Sequence, residues 1–233
     1  TIKDWNVIAE WYSDLVNQQF KKTKIVESTF NFIFPNGYKE MSELKRAQAI
    51  YEYICTNMKY SHVSFLQSGF VPQKPEKTIE TKLGDCKDFS TLFAILAEMA
   101  ELQVNLVLVN TYNNGQRSLV LPNTGFNHCI VKAILDGKEY YIELTDSFLP
   151  FLAVPYSLIN ASALVIPKKT GINNKKYELF TINPINRLKD TNKIDIIYHI
   201  SDEKQWIEYK FEISGSGASY FNEMSKKGEK YYK

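Results

Sequence analysis

No stretch of this 233-residue chain holds the roughly 18 consecutive apolar residues needed to cross a bilayer, so no membrane span is expected. One-sided charge is missing too. The 28 Lys and Arg nearly cancel the 26 Asp and Glu, leaving +2 without the basic stripe of a nucleic-acid binder. Cysteine is scarce: Cys55, Cys86 and Cys129 are odd in number, at spacings that fit neither a zinc knuckle nor a disulfide framework. At least one thiol therefore stays free in a monomer. No metal site and no cofactor are expected, and no calcium-loop motif is present. Internal repeats and low-complexity tracts are absent. Residues 1–20 mix Asp4, Glu10 and Asp14 among apolar positions, unlike a signal peptide. A start at Thr1 rather than methionine leads us to expect a segment of a longer chain.

What is present suits a packed core containing β structure, since 15 Tyr and 14 Phe accompany an ordinary apolar fraction. Helical spacing of Trp5, Ile8, Ala9, Tyr12, Val16 and Phe20 predicts a helix over 4–20. Leu44, Ala47, Ile50, Ile54 and Met58 predict another from Ser42. Residues 25–34 are β-branched and aromatic, and too short to assign. Tyr60 to Lys82 reads as a polar, irregular stretch with Gly69, Pro72 and Pro75, long for a loop without function. Over 86–101 charge appears only at the ends, which predicts a helix buried all round. Strands are predicted at 104–111, 127–135 and 138–144, with Asp136-Gly137 as a two-residue hairpin turn. Further strands are expected at 163–167, 178–183, 193–200 and 204–213. The polar run 168–176 divides the chain into a core with N-terminal helices over 1–167 and a β-rich extension over 168–233.

Cys86 stands in Leu83-Gly84-Asp85-Cys86-Lys87-Asp88-Phe89, at the head of the buried helix. Unpaired N–H groups and the dipole at a helix N-terminus favour a thiolate, the form that attacks a carbonyl. The same amides can hold the oxyanion of a tetrahedral intermediate. Gly84 permits a close backbone approach, and Asp85 is a common residue just before a helix. A buried, inert cysteine is the competing reading of this position alone. His128, in Asn127-His128-Cys129-Ile130, opens a strand and can serve as the base that takes the thiol proton.

The hairpin selects a carboxylate. With Asp136-Gly137 as the loop, Leu135 faces Lys138, so His128 faces Thr145 and Ile130 faces Glu143, and those last four side chains lie on one face of the ribbon. Glu143 is then a diagonal neighbour of His128, within reach of a long side chain. Asp146 pairs with Asn127 and points to the other face. Cys129 points away from His128 toward the core, and Cys55 on the second helix reads as core.

Gly84-Asp85-Cys86-Lys87-Asp88-Phe89 with its apolar helix, Asn127-His128, and the hairpin returning to an acidic strand end resemble the transglutaminase-like superfamily. Tyr60 with Gly69 and Pro72, and Glu143-Leu144-Thr145-Asp146 ending in Leu149-Pro150-Phe151, resemble its bacterial branch of cysteine protease-like members. The resemblance covers roughly residues 42–155. It implies an α+β, papain-like core in which the cysteine-bearing helix packs on an antiparallel sheet, followed by a β-rich C-terminal segment. It implies Cys86 as nucleophile, His128 as base and, where the family usually has aspartate, Glu143 as third member, with Asp146 as fallback. Gln67, Gln73 and Tyr60 are candidate oxyanion donors besides the Cys86 amide.

The expected activity is acyl transfer on a peptide or amide substrate, with hydrolysis favoured. A cross-linking transglutaminase and a catalytically silent binding or scaffold module are the alternatives. By resemblance the protein would be exported, with flanking β-rich domains in a longer chain.

Overall fold

The computed structural model describes residues 2, 4–61, 69–115, 119–168 and 177–227. Helix α1 (Trp5–Gln19) starts at Asp4, whose carboxylate accepts from the Val7 N–H, and buries Ile8, Ala9, Tyr12, Ser13 and Val16. Residues 24–33, unassigned from sequence, form α2 (Lys24–Ile33). Val26, Thr29 and Phe30 are buried on one helical face, and Phe30 packs against Phe34 and Tyr38. Helix α3 (Glu43–Asn57) begins at the Ser42 cap.

A strand β1 (Lys59–Tyr60) pairs in parallel with β2 (Leu83–Gly84). Between them, inside the stretch read as irregular, lies a short helix α4 (Pro75–Thr81), with proline at its first turn. Helix α5 (Cys86–Met99) follows, and every residue from Cys86 to Ala97 is buried.

Helix α5 packs on a five-stranded antiparallel sheet of order β5-β4-β3-β6-β7. Its strands are β3 (Gln103–Asn110), β4 (His128–Leu135), β5 (Lys138–Ile142), β6 (Ser162–Val165) and β7 (Phe180–Thr181). Alternation along β3 sends Leu106 and Leu108 toward α5, and Val107 and Val109 into a smaller cluster on the opposite face with Ile130, Tyr141, Val154 and Ile182. β7 lies beyond the expected 167/168 boundary, so this sheet draws on residues from both sides of it.

The β4–β5 turn has the left-handed backbone that its sequence promised, at Asp136 (φ 48°) and Gly137 (φ 76°). It is also anchored. The Glu43 and Leu44 N–H groups donate to the Asp136 carboxylate at 3.1 and 3.3 Å, and Asp136 N–H donates to Glu43 Oε2 at 2.6 Å. Beyond the core, β8 (Thr191–Ile200) and β9 (Gln205–Ser214) make a separate two-stranded sheet, and α6 (Ala218–Lys227) follows. Among the described residues no helix is long and apolar enough to cross a membrane.

Candidate active site

Cys86 is the first residue of α5, and the turn around it is over-determined. Asp85 accepts from Lys87 N–H at 3.1 Å and Asp88 N–H at 3.3 Å, while Asp88 Oδ2 accepts from Asp85 N–H at 3.0 Å. This reciprocal capping box satisfies donors that the helix itself leaves unpaired. The Asp85 carboxylate also pairs with the Lys87 ammonium, and both side chains are fully buried. Gly84 is required by contact rather than by φ: a Cβ there would lie 2.9 Å from Asp88 Cβ and 2.9 Å from Phe89 Cε1.

The β1–β2 pairing sets Tyr60 beside Gly84, and Ser61 N–H donates to the Gly84 carbonyl at 2.8 Å. Tyr60 lies close enough to Cys86 for the thiol to bear on its phenol. Burial, then the nearby Cys86, Asp85 and Glu143, raise its phenol well above the usual range, so it keeps its proton.

One turn along α5, Ser90 Oγ donates to the Cys129 carbonyl at 3.1 Å, tying the helix to β4 next to His128. Asn127 fixes the other side: its N–H reaches Val109 O at 3.0 Å, and its side-chain amide exchanges hydrogen bonds with Thr111 at 2.9 and 2.8 Å. His128 is thereby held with Nε2 at 2.6 Å from Glu143 Oε2, with Cys86 close enough to raise the pKa of the ring. With Nε2 committed to the carboxylate, Nδ1 is the nitrogen left for sulfur.

Burial alone would lower the His128 pKa. The Glu143 charge, the nearby Cys86 and the Glu143 hydrogen bond outweigh it and hold the ring well above its ordinary value. Glu143 is buried as well, which by itself raises a carboxyl. His128 and the Thr145 hydrogen bonds reverse that and bring it down to about 2.

Glu143, not Asp146, is the carboxylate on His128. The regular ladder ends at Val131↔Ile142, so Glu143 leaves the strand and folds its longer side chain back. Its Oε1 accepts from Leu144 N–H (2.9 Å), Thr145 N–H (2.7 Å) and Thr145 Oγ (2.7 Å). Asp146 is engaged elsewhere, accepting from Phe148 N–H at 2.9 Å and from the Ser219 hydroxyl of α6. Gln73 is likewise committed: its backbone N–H and its amide bind Asp88 at 2.7 and 2.8 Å. Gln67 lies outside the described residues.

Cys129 is buried in the core facing α5, and burial raises its thiol pKa well above the ordinary value. Cys55 departs from the core reading. It is half-buried at the rim of a cavity, with its pKa pushed up to about 12, chiefly by burial.

That cavity, about 490 Å³, runs between α3, Tyr60, the 144–148 loop and α6. A second, about 210 Å³, opens on His128 and Glu143 from Thr111, Asn127 and Ser157. Thr145 and Asp146 line both, so the two meet at that segment. Cys86 itself is only 1% exposed. The contribution of α6 carries no apolar signal in the sequence: Ser219 binds Asp146, Asn222 Nδ2 reaches Phe148 O at 2.9 Å, and Lys226 sits 5.0 Å over the Phe148 ring.

A buried helix starting at a cysteine, laid across an antiparallel sheet whose first hairpin strand starts at a histidine, is the papain-like α+β arrangement. Residues 35–143 match the family model of the transglutaminase-like superfamily. Among solved structures the fold resembles a candidate protease from Parabacteroides distasonis, at TM-score 0.50 and 11% identity over 93% of this chain and 55% of that one. A candidate cysteine protease from Cytophaga hutchinsonii aligns at TM-score 0.38 and 14% identity, over 84% of this chain and 63% of its own. A structure described as a TGase aligns at 0.36 and 18% identity, over 62% and 34%. The chain thus spans less than two thirds of each of these relatives. No curated protein sequence matches it.

Proposed function

We propose that this chain is a cysteine-dependent acyl-transfer enzyme acting on peptide or amide bonds, with hydrolysis as the main outcome. The observation that carries this reading is His128 held 2.6 Å from the buried Glu143 carboxylate, with Cys86 beside it at a helix N-terminus. The Cys86 thiol passes its proton to His128, and the sulfur attacks the amide carbonyl, forming a C–S bond as the carbonyl π pair moves onto oxygen. His128, protonated against Glu143, gives its proton to the departing nitrogen as the C–N bond breaks, leaving a thioester. Water then adds to the thioester with His128 as base, the C–S bond breaks, and the acid is released. An amine in place of water would give cross-linking instead.

Two donors suit the oxyanion: the first-turn N–H of Cys86, which has no carbonyl behind it in the helix, and the protonated Tyr60 hydroxyl near it. Glu143 orients the ring, as the closer relative of aspartate would, and Thr145 and Leu144 hold Glu143.

Incubation with activated peptide esters and amides, followed by intact-mass analysis, tests the proposal. A transient acyl adduct on Cys86 that is absent in Cys86→Ala supports it. Substrate turnover unchanged in Cys86→Ala would overturn it. Release to acid in buffer, against capture by added lysine methyl ester, separates hydrolysis from transamidation.

A further inference from the structure

The hairpin β8–β9 has two unlike faces. Strand alternation sets Ile194, Ile196 and Tyr198 opposite Phe211, Tyr209 and Ile207 on one face. The other face places Lys193 opposite Glu212 and Asp195 opposite Lys210, and stacks His199 on Trp206 at 4.5 Å. Its charges are matched among themselves: Lys193 Nζ lies 3.3 Å from Asp195 and 3.9 Å from Glu212, and His199 lies 3.2 Å from Glu208. None of them turns to the apolar side.

Those six apolar side chains are 44% to 67% exposed. With aromatic side chains carrying ~150–250 Å² each and isoleucine somewhat less, they leave on the order of 600 Å² of continuous apolar surface. That is at the upper end of what a monomer usually shows. Among the described residues the cover lies at the base of the hairpin, where Phe221 of α6 stacks on Phe211 at 6.3 Å. A two-stranded hairpin is marginal on its own and gains most from burying such a face.

We propose that a second copy of this chain covers the face, the two hairpins packing sheet to sheet about a two-fold axis. Doubling the exposed patch gives roughly 1,200 Å², the lower bound of a standard specific interface. A two-fold contact uses the same patch twice, so the patch must be self-complementary. This one carries no charge and meets its copy without like-charge repulsion. Sheets pack about 10 Å apart, which the interdigitating Ile, Tyr and Phe side chains fill. This assembly is independent of the chemistry at Cys86.

Light scattering coupled to size exclusion over a concentration series tests it. The expected result is a concentration-dependent species of twice the 27.0 kDa chain mass. Ile196→Lys with Tyr209→Lys should abolish that species while far-UV circular dichroism and Cys86 alkylation stay unchanged. Asp195→Asn, on the charged face, should retain it. A monomer at every concentration overturns the proposal, as does a dimer that survives the double substitution. A monomer that co-floats with phosphatidylcholine vesicles also overturns it, in favour of a lipid surface.

Discussion

Glu143 Oε2 lies 2.6 Å from His128 Nε2, while its other oxygen is held by three donors from Leu144 and Thr145. The carboxylate is thus fixed at both ends. Glu143→Gln removes the charge that raises the pKa of the half-buried His128 ring. The His128 pKa should fall, followed by NMR titration of the ring, and substrate turnover should drop by about 10²–10⁴. An unmoved His128 titration would disconnect the two residues.

The same pair fixes a stability profile. Glu143, held at about 2 against an ordinary 4.5, contributes stability that is complete above pH 4.5 and is lost as pH falls toward 2. His128, raised from 6.5, contributes fully below pH 6.5 and loses its share as pH rises through its higher folded value. Thermal unfolding should therefore show the pair's full contribution between pH 4.5 and 6.5, and Glu143→Gln should flatten both flanks.

Beneath Cys86, Asp85 and Lys87 form a buried ion pair. Removing either partner alone leaves a buried charge, so Asp85→Ala or Lys87→Met should each cost about 3–5 kcal/mol in denaturant unfolding. The double variant should cost clearly less than the sum. Additive losses would mean the two charges do not interact.

Gly84→Ala should destabilise by about 1–3 kcal/mol, because its methyl meets Asp88 Cβ at 2.9 Å and Asp88 is pinned in the capping box. Asp146→Ala should behave differently. It releases Ser219 and loosens α6 but leaves the His128 titration where it was, since Asp146 binds the loop and α6 rather than the ring.

Much of this was legible in the sequence because strand parity is strict. The Asp136-Gly137 turn sets the expected register from Leu135↔Lys138 to Val131↔Ile142, but the ladder ends there, short of the expected Ile130↔Glu143 and His128↔Thr145 pairs, and Glu143 meets His128 by leaving the strand. The buried helix was equally plain, since twelve successive positions from Cys86 to Ala97 lack any solvent-facing pattern. Short or exposed elements were not. β1 and β2 have two residues each, below the length at which alternation registers. In α4 only Pro75 and Thr78 are buried, which leaves no apolar stripe. Helix α2 was hidden because Ile25, Val26 and Phe32 suit a strand as well as a helix. Gln73 looked like an oxyanion donor by chemistry alone, and its bond to Asp88 is a tertiary fact.

Alkylation by iodoacetamide, read separately for Cys86 and Cys55 across pH, tests the central claim most directly. Cys55, with its pKa near 12, supplies the internal reference for an unactivated thiol. The account predicts that Cys86 reacts faster than Cys55 near neutral pH and that His128→Ala removes the difference. A Cys86 that reacts no faster than Cys55, at a rate indifferent to His128→Ala, would contradict it.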